Sequence, residues 1–411
     1  MKLKEKIIIE EFDGKYFQLK LVEAETANEK KAVITHYLHN IENGAYMHFE
    51  KDAKKYIEEY VKYQIEENKL SVVAEDAMQQ LLFEVENVPF PTPENYTFKF
   101  IDLFAGIGGF RLALQNIGGK CVYTNEWNTD AQKTYRANFG EVPFGDITKQ
   151  QNKNYIPDNF DVLCAGFPCQ AFSIAGYQKG FADTRGTLFF DIEKIIEKHR
   201  PKVVFLENVK NLVSHDKGNT YKIIIETLEK KLGYITFAKV LNSATYANVP
   251  QNRERIFIVA FDPNQVKNYS KFEFPKPIKL TKTIHDFLDK GKQDDVFYYK
   301  KEHQYYPELE KTITSKDTIY QWRRVYVREN KSNLCPTLTA NMGAGGHNVP
   351  LIKDDFGIRK LTPKECFAFQ GYPINKYILP TLANSKLYMQ AGNSVTTTLI
   401  ERIAKQIAKV L

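Results

Sequence analysis

Thr97-Phe98-Lys99-Phe100-Ile101-Asp102-Leu103-Phe104, running directly into Ala105-Gly106-Ile107-Gly108-Gly109-Phe110, is the stretch on which the fold turns. An apolar run of strand length closed by glycines reads as a buried strand entering a tight turn. Residues 111–116 then resume as a helix. Glycines at a strand-to-helix turn let main chain approach a ligand closely. The turn lacks the G-x-G-x-x-G spacing, and no phosphate-gripping lysine follows it, which suits a nucleoside ligand without a pyrophosphate. About 20 residues on, Cys121-Val122-Tyr123-Thr124-Asn125 ends in Glu126-Trp127. An acidic residue at the tip of a second strand is placed to accept from ribose hydroxyls. Trp127 is then available to pack on an adenine, and Gly145-Asp146-Ile147 offers a third-strand carboxylate for its amino group. A lone Glu or Asp at a strand end is also a common helix cap. Three such features in order favour the nucleoside site.

Further along, Asp161-Val162-Leu163-Cys164-Ala165-Gly166 reads as another buried strand, and Phe167-Pro168-Cys169-Gln170 as the loop it enters. Open α/β sheets keep reactive groups at the carboxyl ends of their strands. Cys169 is therefore a candidate nucleophile, set against the ordinary reading of a buried structural thiol. Residues 170–185 are polar and contain three glycines, as a closing loop would. A helix is expected over 188–198 and a strand over 201–206, ending in Glu207-Asn208-Val209. A thiol and a carboxyl on one rim suit nucleophilic attack coupled to proton donation. In a strand over 250–258, alternation puts Arg253 and Arg255 on one face, where two guanidiniums can hold a phosphate or a base carbonyl. Surface salt bridging is the plainer reading of an isolated Arg-x-Arg.

Composition bounds these readings. A chain of 411 residues, 43% hydrophobic, is expected to hold two or three domains around a sizeable core. Its five cysteines, at 121, 164, 169, 335 and 366, show no C-x-x-C spacing. Neither a zinc site nor a disulfide framework is expected, and no metal. No stretch reads as a signal peptide or a membrane span. The net charge of +7 divides into −7 over residues 1–97 and +14 over the remainder. A basic body points to a polyanionic partner. Three prolines within residues 89–93 mark a boundary. Before it, 6–12 and 16–23 read as a hairpin, and 51–68 and 72–86 as helices.

Taken in order, these blocks resemble the C5-cytosine-specific DNA methyltransferases of the bacterial restriction–modification type. The match runs through residues 102–109, 166–170 and 207–209, then Gln251-x-Arg253-x-Arg255. It continues through 359–365, Gly371-Tyr372-Pro373 and Gln390-Ala391-Gly392-Asn393-Ser394-Val395. It covers about residues 98–411 and leaves 1–97 unexplained. The resemblance implies a Rossmann-like S-adenosylmethionine-dependent sheet, mostly parallel, with helices on both faces. A smaller irregular target-recognition domain and a small α+β N-terminal appendage complete this α/β fold. The implied division is 1–95, 96–283, 284–373 and 374–411, the last a hinge and a returning C-terminal helix.

The resemblance also implies roles. Cys169 adds to cytosine C6, Glu207 contacts N3 and the exocyclic amine, and Arg255, supported by Arg253, contacts the carbonyl or a phosphate. The activated C5 takes the methyl group from S-adenosylmethionine; proton loss and elimination of Cys169 then leave 5-methylcytosine and S-adenosylhomocysteine. A stacked base hides C6, so the cytosine must be flipped out. Phe104, Gly106, Gly108, Gly109, Glu126, Trp127, Asp146, Ile147, Asn393 and Ser394 would line the cofactor site. Gln170, Ser173, Arg323, Arg324, Thr337 and Thr339 would meet DNA, with Thr337-Leu338 closing the recognition stretch. The implied partner is double-stranded DNA carrying a specific site. The implied protein is a cytoplasmic monomer, nucleoid-associated while acting, whose N-terminal region could mediate self-association. A tRNA cytosine-C5 methyltransferase and a non-catalytic DNA-binding regulator are the alternatives.

Overall fold

The apolar run at 98–103 forms a buried strand of a mainly parallel sheet, as its sequence predicts. These coordinates come from a computed structural model that describes residues 7–12, 16–21, 24–57, 87–168, 188–323, 326–330, 332–344 and 348–411. The first elements are β1 (Ile7–Phe12) and β2 (Tyr16–Leu21), an antiparallel hairpin, and helix α1 (Ala24–His39). Strand β3 (Phe98–Leu103) leads through the glycine turn to α2 (Gly109–Gln115). Then come β4 (Gly119–Asn125), α3 (Thr129–Phe139), β5 (Val162–Gly166), α4 (Leu188–His199) and β6 (Val203–Val209). The sheet is completed by β7 (Ile235–Asn242) and, after the two-residue β8 (Gln251–Asn252), by β9 (Glu254–Phe261).

The strand order is β4-β3-β5-β6-β9-β7, with β3 parallel to β4 and β5, and β7 antiparallel to β9. Every residue of β4 and all but Lys99 of β3 are buried. Helices on both faces of a parallel sheet leave no wet side, which is why these strands read as continuous apolar runs. The Rossmann-like α/β class is thus observed. Among the described residues no helix is long and apolar enough to cross a membrane.

The chain packs as two compact units. One comprises Met1–Arg111, Gly118–Phe167 and Phe172–Val204; the other Leu112–Ile117, Pro168–Ala171 and Phe205–Leu411. At the centre of the first unit, Arg111 Nη1 donates to Glu141 Oε1 at 2.8 Å, both side chains fully buried. The same guanidinium donates to Tyr135 Oη at 3.0 Å, and Thr124 Oγ1 donates to Glu141 Oε1 at 2.8 Å. The proline-rich segment joins this assembly. Phe90 N donates to Asn138 O at 3.0 Å, and the Thr92 hydroxyl lies 2.6 Å from His39 Nδ1.

Helix α1 itself escaped sequence reading. Its buried face mixes Ala32, Val33, Tyr37 and Leu38 with His36, His39 and Asn40, so apolar periodicity is blurred. A helix does run through 50–57; the remainder of 51–68 and all of 72–86 lie outside the described residues.

In the second unit, β10 (Tyr320–Arg323), β11 (Tyr326–Glu329), β13 (Leu351–Lys353) and β14 (Ile358–Lys360) form an antiparallel sheet in the order β11-β10-β13-β14. Strand β12 (Cys335–Pro336) pairs with β8 instead. Helix α5 (Tyr306–Thr312) supplies Leu309 to a core of Ile313, Tyr320, Val327, Leu351 and Ile358. The 359–365 block is a fastener. Glu365 receives two bonds from the buried Arg359, at 2.7 and 2.8 Å, and forms a capping box with Thr362 at the start of α6 (Pro363–Ala368). Helices α7 (Asn384–Asn393) and α8 (Thr397–Ala408) come last, and α8 buries Leu399, Ile403 and Ile407, which recur every four residues.

Burial alone would raise the Glu141 carboxyl, yet the Arg111 guanidinium holds it down to about 2. A folded-state value below the unfolded one, about 4.3, gives stability that is complete above pH 4.3 and lost as pH falls through about 2. We predict that Glu141→Gln removes about 3 kcal/mol from the stability gained by wild type across that window. Urea-unfolding midpoints of both proteins, measured from pH 2 to 6, check this; identical slopes would refute it.

Candidate active site

The glycine turn of the first unit is built around one carboxylate. Glu126 is buried at the tip of β4; its Oε2 accepts from Gly106 N at 2.8 Å and its Oε1 from Asn128 N at 2.7 Å. Burial raises its pKa, while these N–H groups and that of Trp127 oppose the shift. Each oxygen keeps a second lone pair for a hydroxyl donor. Phe104, half-buried, sits at φ 56°, a left-handed conformation that a bulky residue adopts only under constraint. Ala105 N donates to Asn125 O at 2.8 Å, which seats the turn on the end of β4.

The glycines divide their duties. Gly106, at φ +56°, has no atom within 4 Å of where a Cβ would stand, so its main chain faces open space. Gly108, at φ +82°, would bring a Cβ to 2.2 Å from the Phe139 ring, so its small size serves packing against α3. Gly109 begins α2. An open main-chain turn beside a buried acceptor suits a nucleoside cofactor with donor hydroxyls.

Trp127 is 76% exposed, and Ile147 is buried. Asp146 departs from the expected third-strand position. Only Phe144 makes a strand-like bridge, to Asn125, and the Asp146 carboxylate accepts from Thr148 N and Oγ1 at 2.9 and 2.8 Å. That is the local turn chemistry expected of an Asp.

The second unit carries a different pair. Glu207, buried within β6, meets Arg255 of β9 at 3.0 Å between Oε1 and Nε. Burial raises the Glu207 carboxyl, and Arg255, then Arg253, oppose the shift. A carboxyl so poised is suited to sharing a proton with a base. Arg253 stands at a one-residue break between β8 and β9, and main-chain carbonyls hold its guanidinium, while its charge still acts on Glu207 and Arg255. Its Nη1 donates to Leu338 O at 2.8 Å, and its Nη2 donates to Ser394 O and, at 3.4 Å, to Gly392 O. Arg253 thereby joins the segment after β12 to the segment after α7. Ser394 is buried with its hydroxyl 2.7 Å from Tyr372 Oη, and Asn393 is exposed.

An open groove of about 740 Å³ lies in the second unit, lined by Arg323, Thr337 and Thr339 among the residues expected to meet DNA. It also holds Gln321, Arg328, Asn330 and Asn341, which sequence reading missed. Arg328 Nη2 donates to Gln321 Oε1 at 3.3 Å and Asn330 Oδ1 at 3.1 Å. The cross-strand pairing of Gln321 with Arg328 brings these groups together, a register invisible without the fold. Thr337 Oγ1 donates to Asn252 O at 2.6 Å. Gly392 and Gly343 allow the adjoining close contact: a Cβ at Gly392 would lie 2.1 Å from the Thr339 carbonyl carbon, and one at Gly343 2.4 Å from Ser385 O. Cys169, Gln170, Ser173, Arg324 and the 170–185 loop lie outside the described residues. Among the described residues no group of three or more His, Cys, Asp and Glu could hold a metal ion.

Comparison with known proteins converges on one family. The Type II methyltransferase M.Bsp6I of Bacillus sp. (strain RFL6) is 53% identical over 315 residues, 76% of this chain and 98% of its own length. The Type II methyltransferase M.HpaII of Haemophilus parainfluenzae is 42% identical over 355 residues, 83% of this chain and 97% of its own. The crystal structure of the S. pombe Dnmt2 methyltransferase shares the fold with a TM-score of 0.58 at 17% identity, over 76% of this chain and 99% of its own. The family model described as C-5 cytosine-specific DNA methylase matches residues 98–409, and the chain belongs to that family.

Proposed function

We propose that the protein methylates C5 of a flipped-out cytosine within a specific short duplex DNA sequence, protecting its host's DNA in a bacterial restriction–modification system. The observation that carries this reading is the buried Glu207–Arg255 pair in a chain of the cytosine-C5 family. In this scheme Glu207 meets N3 and the exocyclic amine of the base, and Arg255 fixes the carboxyl and reaches the base carbonyl or a phosphate. Cys169 adds as a thiolate to C6, breaking the C5–C6 double bond and placing electron density on C5. S-adenosylmethionine, when bound, supplies the electrophilic methyl group that C5 takes up. Loss of the C5 proton then expels Cys169 and restores the double bond. Glu126 accepts from the ribose hydroxyls, and the main chain at 106–109 lies against the methionine moiety. Phe104, Trp127, Asp146 and Ile147 surround the adenine, with Asn393 and Ser394 completing the site. Arg253 supports Arg255 indirectly, by fixing the segments at Leu338 and Ser394.

Arg323, Arg328, Thr337 and Thr339 are assigned to DNA through the groove they line, joined by Gln170, Ser173 and Arg324. Both basic side chains suit guanine edges or phosphates. Work as a monomer in the cytoplasm and the four-part domain division complete the proposal.

Bisulfite sequencing of DNA from a host expressing the protein should reveal one short sequence carrying 5-methylcytosine. Methyl transfer to tRNA but not to duplex DNA would overturn the reading. Cys169→Ala should abolish transfer, and 5-fluorocytosine at the target should trap wild type, but not the variant, as a covalent complex on a denaturing gel. Glu207→Ala should lower kcat about 10²–10⁴-fold in single-turnover assays while the complex with DNA still forms. For the groove, Arg323→Ala with Arg328→Ala should weaken DNA binding, by about 1–3 kcal/mol for each arginine that reads a base. If they contact only phosphate, the plot of log affinity against log salt flattens by about two units without loss of sequence preference.

A further inference from the structure

The family match begins at residue 98, so α1 lies outside it. Strand β4 is last in the sheet order, and its outer edge presents N–H and C=O groups that no strand among the described residues pairs. Several groups along that edge are nonetheless met by hydrogen bonds from outside the sheet. Thr124 N donates to His36 Nε2 at 3.0 Å, and Val122 O accepts from Asn40 Nδ2 at 3.4 Å. Thr124 O accepts from Phe144 N at 2.9 Å, and Glu126 N donates to Phe144 O at 2.8 Å. Val122 is the bulge residue of β4, skipped between the partners of Phe100 and Ile101, and it lies two residues before Thr124. Asn40, the residue just past α1, stands one turn beyond His36, its N–H bonded to His36 O at 3.2 Å. His36 near the end of α1 and Asn40 just past it therefore serve Thr124 and Val122 respectively.

The histidine is prepared for this contact. His36 Nδ1 bonds Ala32 O at 2.8 Å, which makes Nδ1 the donor and leaves Nε2 as the acceptor that Thr124 N needs. Its ring is packed between Phe144, Phe49 and Tyr123, with centroids at 4.7, 5.4 and 5.7 Å. The strand it holds ends in Asn125 and Glu126, the two residues that seat the glycine turn.

We infer that His36 and Asn40 are positioning residues for the cofactor site: they stand in for a seventh strand and hold the Glu126 end of β4 in register with the turn at Gly106. This rests on the reading of Glu126 as a cofactor ligand. Neither residue touches the cofactor.

The test uses the full chain, with S-adenosylmethionine affinity read by calorimetry and turnover read on unmethylated phage λ DNA. His36→Ala with Asn40→Ala leaves a buried strand N–H unpaired and should raise the Kd and KM for S-adenosylmethionine about five- to tenfold, with kcat and the KM for DNA within about twofold. His36→Gln, which returns an acceptor near the Nε2 position, should restore most of the affinity. Asn40→Ala alone, the milder change, should give about a twofold rise if the double variant fails to fold. Val33→Ala, a buried apolar truncation on the same helix, should lower the melting temperature without changing cofactor affinity. Unchanged cofactor affinity in the edge variants, or an equal change in Val33→Ala, would overturn the inference. Glu126→Ala separates the two readings: normal cofactor binding by that variant sinks the site itself. Lost binding there with unaltered edge variants sinks only the role of α1.

Discussion

A guanidinium and a carboxylate removed from water tolerate no slack, and the first unit is arranged around one such pair. Arg111 stands two residues after Gly109 and Glu141 just past the end of α3, so their 2.8 Å bond ties the turn's helix to the next crossover. Losing either partner would leave an uncompensated charge inside, which costs several kcal/mol. Thr124 and Tyr135 add further bonds to the same two groups, so β4 and α3 share the anchor. The geometry at Glu126 follows from this, because β4 is pinned two residues earlier.

The second unit solves a similar problem with main-chain acceptors. Arg253 is buried among the carbonyls of Leu338, Gly392 and Ser394, and it sets the segment leaving β12 beside the one leaving α7. Arg359 fastens its own segment through side-chain carboxylates instead, those of Asp354 and Glu365. Two blocks that look functional in sequence are therefore partly architectural. Side chains with five donors in a planar fork can fasten several strands of chain at once.

The central sheet was legible because strands buried on both faces must be apolar throughout, as at 98–103 and 162–166. The place of Glu126 at the tip of β4 was legible too, because it directly follows an apolar run of strand length. Asp146 was less so; Thr148 gives its carboxylate a nearby turn role. The main-chain partners of Arg253 could not be read, because Leu338 and Ser394 lie 85 and 141 residues away in sequence. Arg328 stayed hidden because a groove depends on cross-strand register. Helix α1 stayed hidden because half of its buried face is polar, and what satisfies it lies more than eighty residues away.

That last arrangement bears on how the chain can be shortened. A protein trimmed to begin at residue 98 would keep every block that identifies the family and lose the side chains that cover β4. Its outermost strand would then offer Val122 O and Thr124 N to the first extended segment it met, including the same strand of another copy. The cut that looks natural by homology would leave an adhesive edge, and aggregation during purification would be its physical signature.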